Sequence, residues 1–144
     1  MSILHFVNNN CITLLQNGQE YFPKLEAAIA SAQFEIYLET YIFEYDAVGE
    51  RISLALKQAA QRGVSVHLLL DGFGSQNLPR DVIQDMLDAG VKVLIFRPEF
   101  ILSFPRRYRL RRMHRKLAIV DGQIAFIGGN NIIADPHNPE NHTP

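Results

Sequence analysis

The segment FEIYLETYIFEYDAVGERISLALKQAAQRGVSVHLLL, residues 34–70, decides the fold class because two kinds of pattern alternate along it. Residues 34–43 are rich in Ile, Tyr and Phe, which predicts a strand. Over 48–59 apolar side chains recur at helical spacing, and Gly63 is suited to end that helix. Residues 64–70 are almost entirely apolar, as is typical of a strand covered on both faces of its sheet. This strand–helix–strand unit predicts an α/β fold.

The alternation continues on both sides of this segment. The other predicted elements are a strand over 12–16, a helix over 21–32, a helix over 79–89, a strand over 91–96 and two final strands over 117–120 and 124–127. Pro23 is tolerable only in the first turn of its helix. Asp121-Gly122, between the last two strands, is a strong signal for a two-residue hairpin turn. The whole pattern predicts a three-layer α/β/α domain with a mixed sheet and helices on both faces.

The composition is that of one globular domain. The 144 residues are 47% hydrophobic and 20% charged with a net charge of −1, which excludes a disordered chain and allows a sizeable core over 1–144. Cys11 has no disulfide partner and is predicted to be a small buried side chain in a reducing compartment. No apolar run approaches the roughly 20 residues of a membrane-spanning helix, and residues 1–10 lack the features of a signal peptide. We therefore expect a cytoplasmic domain, with a loop over the proline-containing residues 134–144.

Positive charge is concentrated in one short segment. Residues 106–116, RRYRLRRMHRK, carry seven of the 14 basic side chains and no acidic one. They follow the apolar residues 100–105, and apolar side chains followed by cations suit an anionic lipid surface, at about 1 kcal/mol per basic residue. Nucleic-acid phosphates would satisfy the same cations, and a solvated loop is the simplest alternative. The candidate contact residues are Arg106, Arg107, Arg109, Arg111 and Arg112.

The predicted hairpin brings chemically useful side chains together at its open end. With a two-residue turn, Val120 pairs with Gln123, and directly paired residues point to the same face, as do residues two apart. By this count His114, Lys116 and Asn131 emerge on one side, as a nucleophile or base, a cation and an amide donor. The pattern predicts an anion site there.

Further residues of the hairpin are placed by the same count. Gly128 and Gly129 lie beside the predicted site, where glycines would let a ligand approach the backbone closely. Asp121 falls on the opposite face, which favours a structural role in the turn. Glu39 and Asp71 lie near the carboxyl ends of predicted parallel strands, where either could orient an imidazole or simply cap a loop.

The spacing of these residues resembles that of a known family. The signature HxKxxxxDxxxxxxG(G/S)xN of the phospholipase D superfamily is matched by His114, Lys116, Asp121, Gly128, Gly129 and Asn131. The segments LETYIF, LLDGFGS and RRMHRK, at 38–43, 69–75 and 111–116, are similar to bacterial cardiolipin synthases that lack N-terminal transmembrane helices. The resemblance implies the phospholipase D fold.

The resemblance also implies a reaction. A histidine attacks a phosphodiester to give a phosphohistidine, a second histidine protonates the leaving alcohol, and an acceptor alcohol then restores the enzyme. It implies catalytic roles for His114, Lys116 and Asp121, with Lys116, Asn131 and the two glycines at the phosphate. No metal or cofactor is required. Donor and acceptor would be phosphatidylglycerol, the product cardiolipin and the released alcohol glycerol, at the inner face of the bacterial membrane.

One departure from the family pattern affects function. Family members use two such motifs per active site, and this chain has one. We therefore expect the N-terminal half of a two-motif enzyme, inactive alone unless two copies bring their His114 residues face to face. One alternative is a homodimeric phospholipase D-type nuclease, although Gly129 stands where those nucleases usually have serine. The other alternative is an anionic-lipid-binding fragment with no catalytic activity.

Overall fold

The computed structural model describes residues 8–98 and 112–134, which form a five-stranded mixed sheet and three helices. The elements are α1 Asn17–Ser31, β1 Glu35–Thr40, α2 Ala47–Gln61, β2 Ser65–Asp71, α3 Arg80–Asp88, β3 Lys92–Phe96, β4 Leu117–Val120 and β5 Ile124–Ile127. The predicted terminal loop lies outside the described residues, except for Ala134. So do Arg106, Arg107, Arg109 and Arg111.

The sheet has the order β3-β2-β1-β4-β5, with β1, β2 and β3 parallel and β4 and β5 antiparallel to their neighbours. The three parallel strands therefore end at the same edge of the sheet, where β4 begins and β5 ends. We call this the carboxyl edge. The segments 41–46, 72–79, 112–116 and 128–131 all lie there. Open α/β sheets commonly bind ligands at this position.

The core lies between the helices and one face of the sheet. Ile36 and Leu38 of β1 are buried with Leu68 of β2, and Leu56 of α2 packs in the same cluster. The helices α1 and α3 each contact α2, so the three share one layer. Right-handed crossovers along neighbouring strands place successive helices on the same side of a sheet, which explains this arrangement.

The other face of the sheet carries no helix within residues 8–98 and 112–134. Tyr37 is 41% exposed, Leu94 67% and Ile127 81%, and all three lie on that face. The α/β class and the mixed sheet are thus as predicted, whereas the second helical layer is not found in the described part of the chain. His67 also lies on this face, where it stacks on Tyr37 with ring centroids 4.6 Å apart.

The predicted first strand is wrong. Residues 9–16 have no regular secondary structure, and Ile12 and Leu14 are exposed. Cys11 is exposed as well, not buried. Helix α1 begins at Asn17, so Pro23 lies inside it instead of in its first turn. The missing N–H of a proline removes one bond to the preceding turn, which this helix tolerates because its apolar face is packed on the core.

The hairpin differs from its predicted register by one residue. Asp121 and Gly122 form the turn, both with positive φ, and Gln123 donates to the carbonyl of Val120 at 3.0 Å. However, Val120 pairs with Ile124 and not with Gln123. Gln123 is therefore left outside the ladder as a bulge. The predicted convergence of His114, Lys116 and Asn131 on one side therefore cannot depend on this register.

Candidate active site

His114 and Lys116 lie together at the carboxyl edge. They are two residues apart just before β4, so their side chains point to the same side. Lys116 Nζ lies 3.0 Å from His114 Nε2 and 3.4 Å from the His114 carbonyl oxygen. His114 is exposed, while Lys116 is only 8% exposed. Burial lowers the pKa of Lys116 below its ordinary value.

Tyr41 completes this group, and the sequence reasoning did not single it out. Its ring centroid lies 4.8 Å from that of His114, and Lys116 Nζ lies 5.3 Å from the Tyr41 ring centroid. An ammonium group near an aromatic face is attracted by the ring quadrupole. The available signal was positional, because Tyr41 follows β1 at the edge where the motif residues emerge.

Asn131 reaches the same edge through a separate backbone connection. Ile132 forms a parallel bridge with Phe43, in which Ile132 N donates to Ile42 O at 3.0 Å. Asn131 Oδ1 in turn accepts from Ile42 N at 3.2 Å. This bond orients the side-chain amide, and its NH2 group has no partner among residues 8–98 and 112–134. Asn131 is thus placed beside the segment that carries Tyr41, with two donors available.

The two glycines of the motif are not required by the fold. A Cβ atom added at Gly128 or Gly129 would meet no atom within 4 Å in the described structure, and neither glycine has positive φ. Gly128 N donates to Lys116 O at 3.4 Å, which keeps the backbone next to the cation. An open cavity of about 260 Å³ adjoins Gly129; its lining is Asn17, Gly18, Phe22, Gly129, Asn130, Asn131, Ile133 and Ala134.

Asp121 lies at the opposite end of β4 from Lys116, roughly 16 Å away along the strand. Its carboxylate accepts from the backbone N–H groups of Gln33, Phe34 and Glu35 at 2.8, 2.8 and 2.9 Å. These bonds lower the pKa of Asp121. This position contradicts the catalytic role that the resemblance implies for Asp121. The residue instead anchors the hairpin turn to the start of β1. The structural role that the face count favoured agrees with this position.

Asp71 and Glu39 lie at the carboxyl edge without orienting an imidazole directly. Asp71 is completely buried, and its carboxylate accepts from the backbone of Phe73, Gly74 and Met113. Glu39 Oε2 lies 3.1 Å from Arg115 Nε, but the geometry is not that of a hydrogen bond and the buried oxygen has no bonding partner in the described structure. Charge attraction alone joins this pair.

Arg112 is the one proposed anion-contact residue within the described ranges. Its guanidinium carbon lies 4.7 Å from the centroid of the Phe73 ring, at the carboxyl edge. The side chain is half-buried, and its charge lies two residues before His114. Arg112 therefore brings one cation to the carboxyl edge beside the candidate site.

The comparisons with known proteins agree with this geometry. A family model described as "Cardiolipin synthase, PLD-like domain", where PLD denotes phospholipase D, matches residues 25–140. The chain belongs to this family. The match includes the strands and helices that form the carboxyl edge and all of the motif residues.

Individual members of the cardiolipin synthase family are also similar to the chain. It is 44% identical over 126 residues to cardiolipin synthase B of Escherichia coli K12, covering 88% of this chain and 30% of that protein. It is 40% identical over 119 residues to cardiolipin synthase 1 of Bacillus cereus, covering 83% of this chain and 23% of that protein. The chain thus spans less than a third of the length of these curated relatives.

Solved structures support the phospholipase D-type fold. The phospholipase D family member Nuc from Salmonella typhimurium matches with a TM-score of 0.54 and 27% identity, over 77% of this chain and 64% of that one. NucT from Helicobacter pylori matches with a TM-score of 0.57 and 25% identity, over 77% and 66% of the two chains. In the part of this chain that the structure describes, no helix is long and apolar enough to cross a membrane.

Proposed function

We propose that this PLD-like domain contributes one half of a phosphatidyl-transfer site, which makes cardiolipin from two phosphatidylglycerol molecules and releases glycerol. The observation that carries the proposal is the contact between His114 Nε2 and Lys116 Nζ at the exposed end of the sheet. Membership of the cardiolipin synthase family supports the substrate class. No residue of the site requires a metal or cofactor for this reaction.

The contact between His114 and Lys116 favours a nucleophilic histidine. An ammonium group has donors and no acceptor, so charged Lys116 requires Nε2 of His114 to carry a lone pair. A neutral imidazole with a lone pair on Nε2 is the form that attacks phosphorus. When the diester binds, its nonbridging oxygens take the Lys116 donors, which leaves Nε2 free to react. The acid partner is the alternative role for His114.

The proposed reaction has two steps. His114 Nε2 forms a bond to phosphorus, the bond between phosphorus and the glycerol oxygen breaks, and a second histidine gives its proton to that oxygen. The headgroup hydroxyl of another phosphatidylglycerol then attacks phosphorus. The N–P bond breaks, and the second histidine takes the hydroxyl proton. Both histidines return to their starting states.

Lys116 and Asn131 are placed to stabilise the charge that builds on the nonbridging oxygens. Lys116 brings a partly desolvated cation, and Asn131 brings an amide whose orientation is fixed by Ile42. Donors that are held in place before the reaction are worth more than donors that must reorganise. The space beside Gly128 and Gly129 would admit the phosphate close to the backbone.

The second histidine must come from a second motif. Within 8–98 and 112–134 the other histidine is His67, which lies on the uncovered face of the sheet and stacks on Tyr37. The chain spans 30% of the Escherichia coli relative. We therefore propose that a second motif, from a longer chain or from a second copy, faces His114, and that a monomer of this chain alone has little or no turnover.

The charge distribution supports a membrane substrate. The cations of residues 106–112 end two residues before His114 in the sequence, so an anionic headgroup attracted by them would arrive close to the reactive imidazole. We propose that the domain works at the inner face of the bacterial membrane, bound peripherally through this segment.

An activated lipid tests the chemistry in the isolated chain. Phosphatidyl-p-nitrophenol has a leaving group that needs no proton donor, so the first step can proceed without the second histidine. We expect a burst of at most one p-nitrophenolate per chain and a phosphatidyl adduct on His114, detected by intact-mass and peptide analysis under alkaline conditions. His114→Gln should abolish the burst while the variant still binds phosphatidylglycerol vesicles.

The adduct is expected to persist, because the described residues place no second histidine beside His114 to activate the acceptor alcohol. A second copy that completes the site would turn this burst into continuous turnover. Continuous turnover by a proven monomer would contradict the two-motif proposal. Lipid binding with neither an adduct nor a dependence on His114 would favour the non-catalytic lipid-binding alternative.

A phospholipase D-type nuclease is the second candidate function. It is favoured by the single motif of this chain and by the seven cations of residues 106–116, which would equally attract a nucleic-acid backbone. The p-nitrophenyl ester of thymidine 5′-phosphate has the same leaving group as the lipid probe and separates the two functions. A faster burst with the nucleotide, together with DNA binding that falls steeply with salt, would favour the nuclease.

A further inference from the structure

We propose that Asp71 is a positioning residue for His114, acting through the backbone of Met113. The inference rests on the proposed function for the role of His114, and it concerns how that side chain is held. Asp71 is the last residue of β2, and His114 precedes β4, so the two are far apart in sequence. The fold brings them to the same edge of the sheet.

The carboxylate of Asp71 joins two segments of the carboxyl edge. Oδ1 accepts from Phe73 N and Gly74 N, both at 3.0 Å, and Oδ2 accepts from Met113 N at 2.8 Å. Asp71 and Met113 are both buried. Because Met113 directly precedes His114, its bond to Asp71 fixes the backbone from which the reactive imidazole extends.

The same loop also locates the ring that contacts His114. Ser75 Oγ donates to Tyr41 O at 3.1 Å and accepts from Phe43 N at 3.0 Å. A Cβ atom at Gly74 would collide with the Tyr41 carbonyl oxygen, so this loop packs closely against the Tyr41 backbone. Residues 71–75 therefore hold His114 on one side and Tyr41 on the other. The distance between the imidazole and the Tyr41 ring reports on whether both are in place.

A carboxylate suits this position because it faces donors only. Three backbone N–H groups point at its two oxygens, and an ionised aspartate accepts without donating. The near-isosteric variant Asp71→Asn replaces one oxygen with an NH2 group. The remaining oxygen can keep the Phe73 and Gly74 pair, which leaves the Met113 N–H facing another donor. The variant thus removes the connection to His114 while preserving the turn.

Asp46 offers a matched control, because its carboxylate binds the backbone just after Asn131 instead of the backbone just before His114. Its Oδ1 accepts from Val48 N and Gly49 N, both at 3.0 Å, and its Oδ2 accepts from Ala134 N at 2.6 Å. The pattern is the same as at Asp71, with the next two turn amides and one remote amide. Asp46→Asn should therefore disturb a comparable bond without affecting the segment before His114.

The first readout is the NMR spectrum of the 144-residue chain, which needs no activity. In Asp71→Asn we expect the Met113 amide to exchange its hydrogen at least about tenfold faster, because its bond is lost. The His114 ring protons should shift toward their values in Tyr41→Leu, because the imidazole moves away from the Tyr41 ring. In Asp46→Asn both signals should stay at their wild-type values.

The second readout is the burst with phosphatidyl-p-nitrophenol at saturating lipid. We expect Asp71→Asn to slow the burst by about 10- to 100-fold, as a small misplacement of a reacting group does. The dissociation constant for dimethyl phosphate should change by less than about threefold, because Lys116 and Asn131 are held by other contacts. Asp46→Asn should slow the burst by less than about threefold.

The two readouts separate this inference from the proposed function. If the wild-type chain gives no burst, the nucleophilic role of His114 fails, and the NMR comparison still decides the role of Asp71. The inference would be overturned if the His114 ring-proton shifts and the Met113 amide exchange rate in Asp71→Asn were the same as in the wild type. An equal loss of burst rate in Asp46→Asn and Asp71→Asn would overturn it as well, since both would then reflect general stability.

Discussion

Asp121 illustrates how a motif residue can be structural at the scale of a single side chain. Its carboxylate accepts three backbone N–H bonds from the segment that enters β1, and its own N–H donates to Glu35 O at 2.9 Å. The hairpin that carries His114 is therefore tied to the central strand at its far end. In this fold the residue contributes to the site by holding β4 in place.

The stability contribution of Asp121 should depend on pH in a defined direction. The backbone bonds hold its folded-state pKa below the ordinary 3.8, so the contribution is complete above that value and is lost as pH falls through the lowered pKa. We expect Asp121→Asn to lower the urea midpoint at pH 7. The difference from wild type should shrink below about pH 4. If the difference between the two urea midpoints stayed unchanged down to pH 2, this account would be contradicted. The control is Asp88→Asn, which lies on an exposed helix end.

At the residue scale, sequence reasoning predicted that His114 and Lys116 lie together, and it missed the residues around them. His114 and Lys116 could be predicted to share a face because they are two residues apart before a strand. The contacts of Tyr41 and Met113 could not be predicted, because they depend on how distant loops meet at the edge of the sheet. The same limit applies to Asp71, whose position at a strand end was predictable and whose partner was not.

At the element scale, the hairpin shows what a turn signal can and cannot determine. Asp121-Gly122 does form the turn, yet the bulge at Gln123 shifts the pairing of β4 and β5 by one residue. A shift of one residue changes which side chains share a face. Asn131 nevertheless lies at the carboxyl edge because the bridge between Phe43 and Ile132 places it there. A bulge of this kind has no signal in the local sequence.

The strands differed in how predictable they were. The central strand β1 and its neighbour β2 lie within a few residues of their predicted bounds. The segment 12–16 has apolar residues but no neighbouring strand among residues 8–98 and 112–134, so most of it stays exposed. Local pattern alone does not provide a strand with a partner.

Two glycines at the carboxyl edge should respond to substitution in opposite ways. Gly74→Ala places a Cβ against the Tyr41 backbone, so we expect the free energy of unfolding to fall by about 1–3 kcal/mol. Gly128→Ala meets open space and should change it by less than about 0.5 kcal/mol. The methyl group would instead occupy space proposed for the phosphate and weaken phosphodiester binding.

Urea unfolding and a titration with dimethyl phosphate check both expectations. Equal destabilisation by the two substitutions would show that the glycine loop of the motif is packed in solution. Unchanged phosphodiester binding in Gly128→Ala would contradict the proposed position of the phosphate.

At the scale of the whole molecule, the distribution of charge matters more than its total. The net charge of −1 conceals a segment, residues 106–116, with seven cations and no acid. That segment leads into the carboxyl edge, while the three helices cover one face of the sheet. The sequence predicted this asymmetry and the α/β class. It also predicted helices on both faces of the sheet, whereas the helices of the described residues cover one face, because apolar runs in a strand do not say what covers each side.

Neutralising part of this segment should weaken binding to anionic vesicles. In the triple variant, glutamine replaces three arginines: Arg106, Arg107 and Arg109. At about 1 kcal/mol per cation, we expect its partition onto phosphatidylglycerol vesicles to fall by up to about 100-fold at low salt. Cosedimentation with vesicles of phosphatidylglycerol, and of phosphatidylcholine for comparison, measures the change.

In the control variant, glutamine replaces three cationic residues on the helices: Lys24, Lys57 and Arg80. It alters net charge by the same amount, and we expect its partition to change by less than about threefold. An equal effect of the two triple variants would indicate that only net charge matters. That result would contradict a specific membrane contact through residues 106–112.

The central claim is that His114, Lys116 and Asn131 form a phosphodiester site, and an NMR titration of the chain with dimethyl phosphate tests it most directly. We predict saturable shifts centred on these three residues, which are lost in Lys116→Met. Because burial lowers the pKa of Lys116, the affinity should fall as pH rises, with a midpoint below the ordinary lysine value of 10.5. Shifts that are confined to other cations, or that are unchanged in Lys116→Met, would contradict the account.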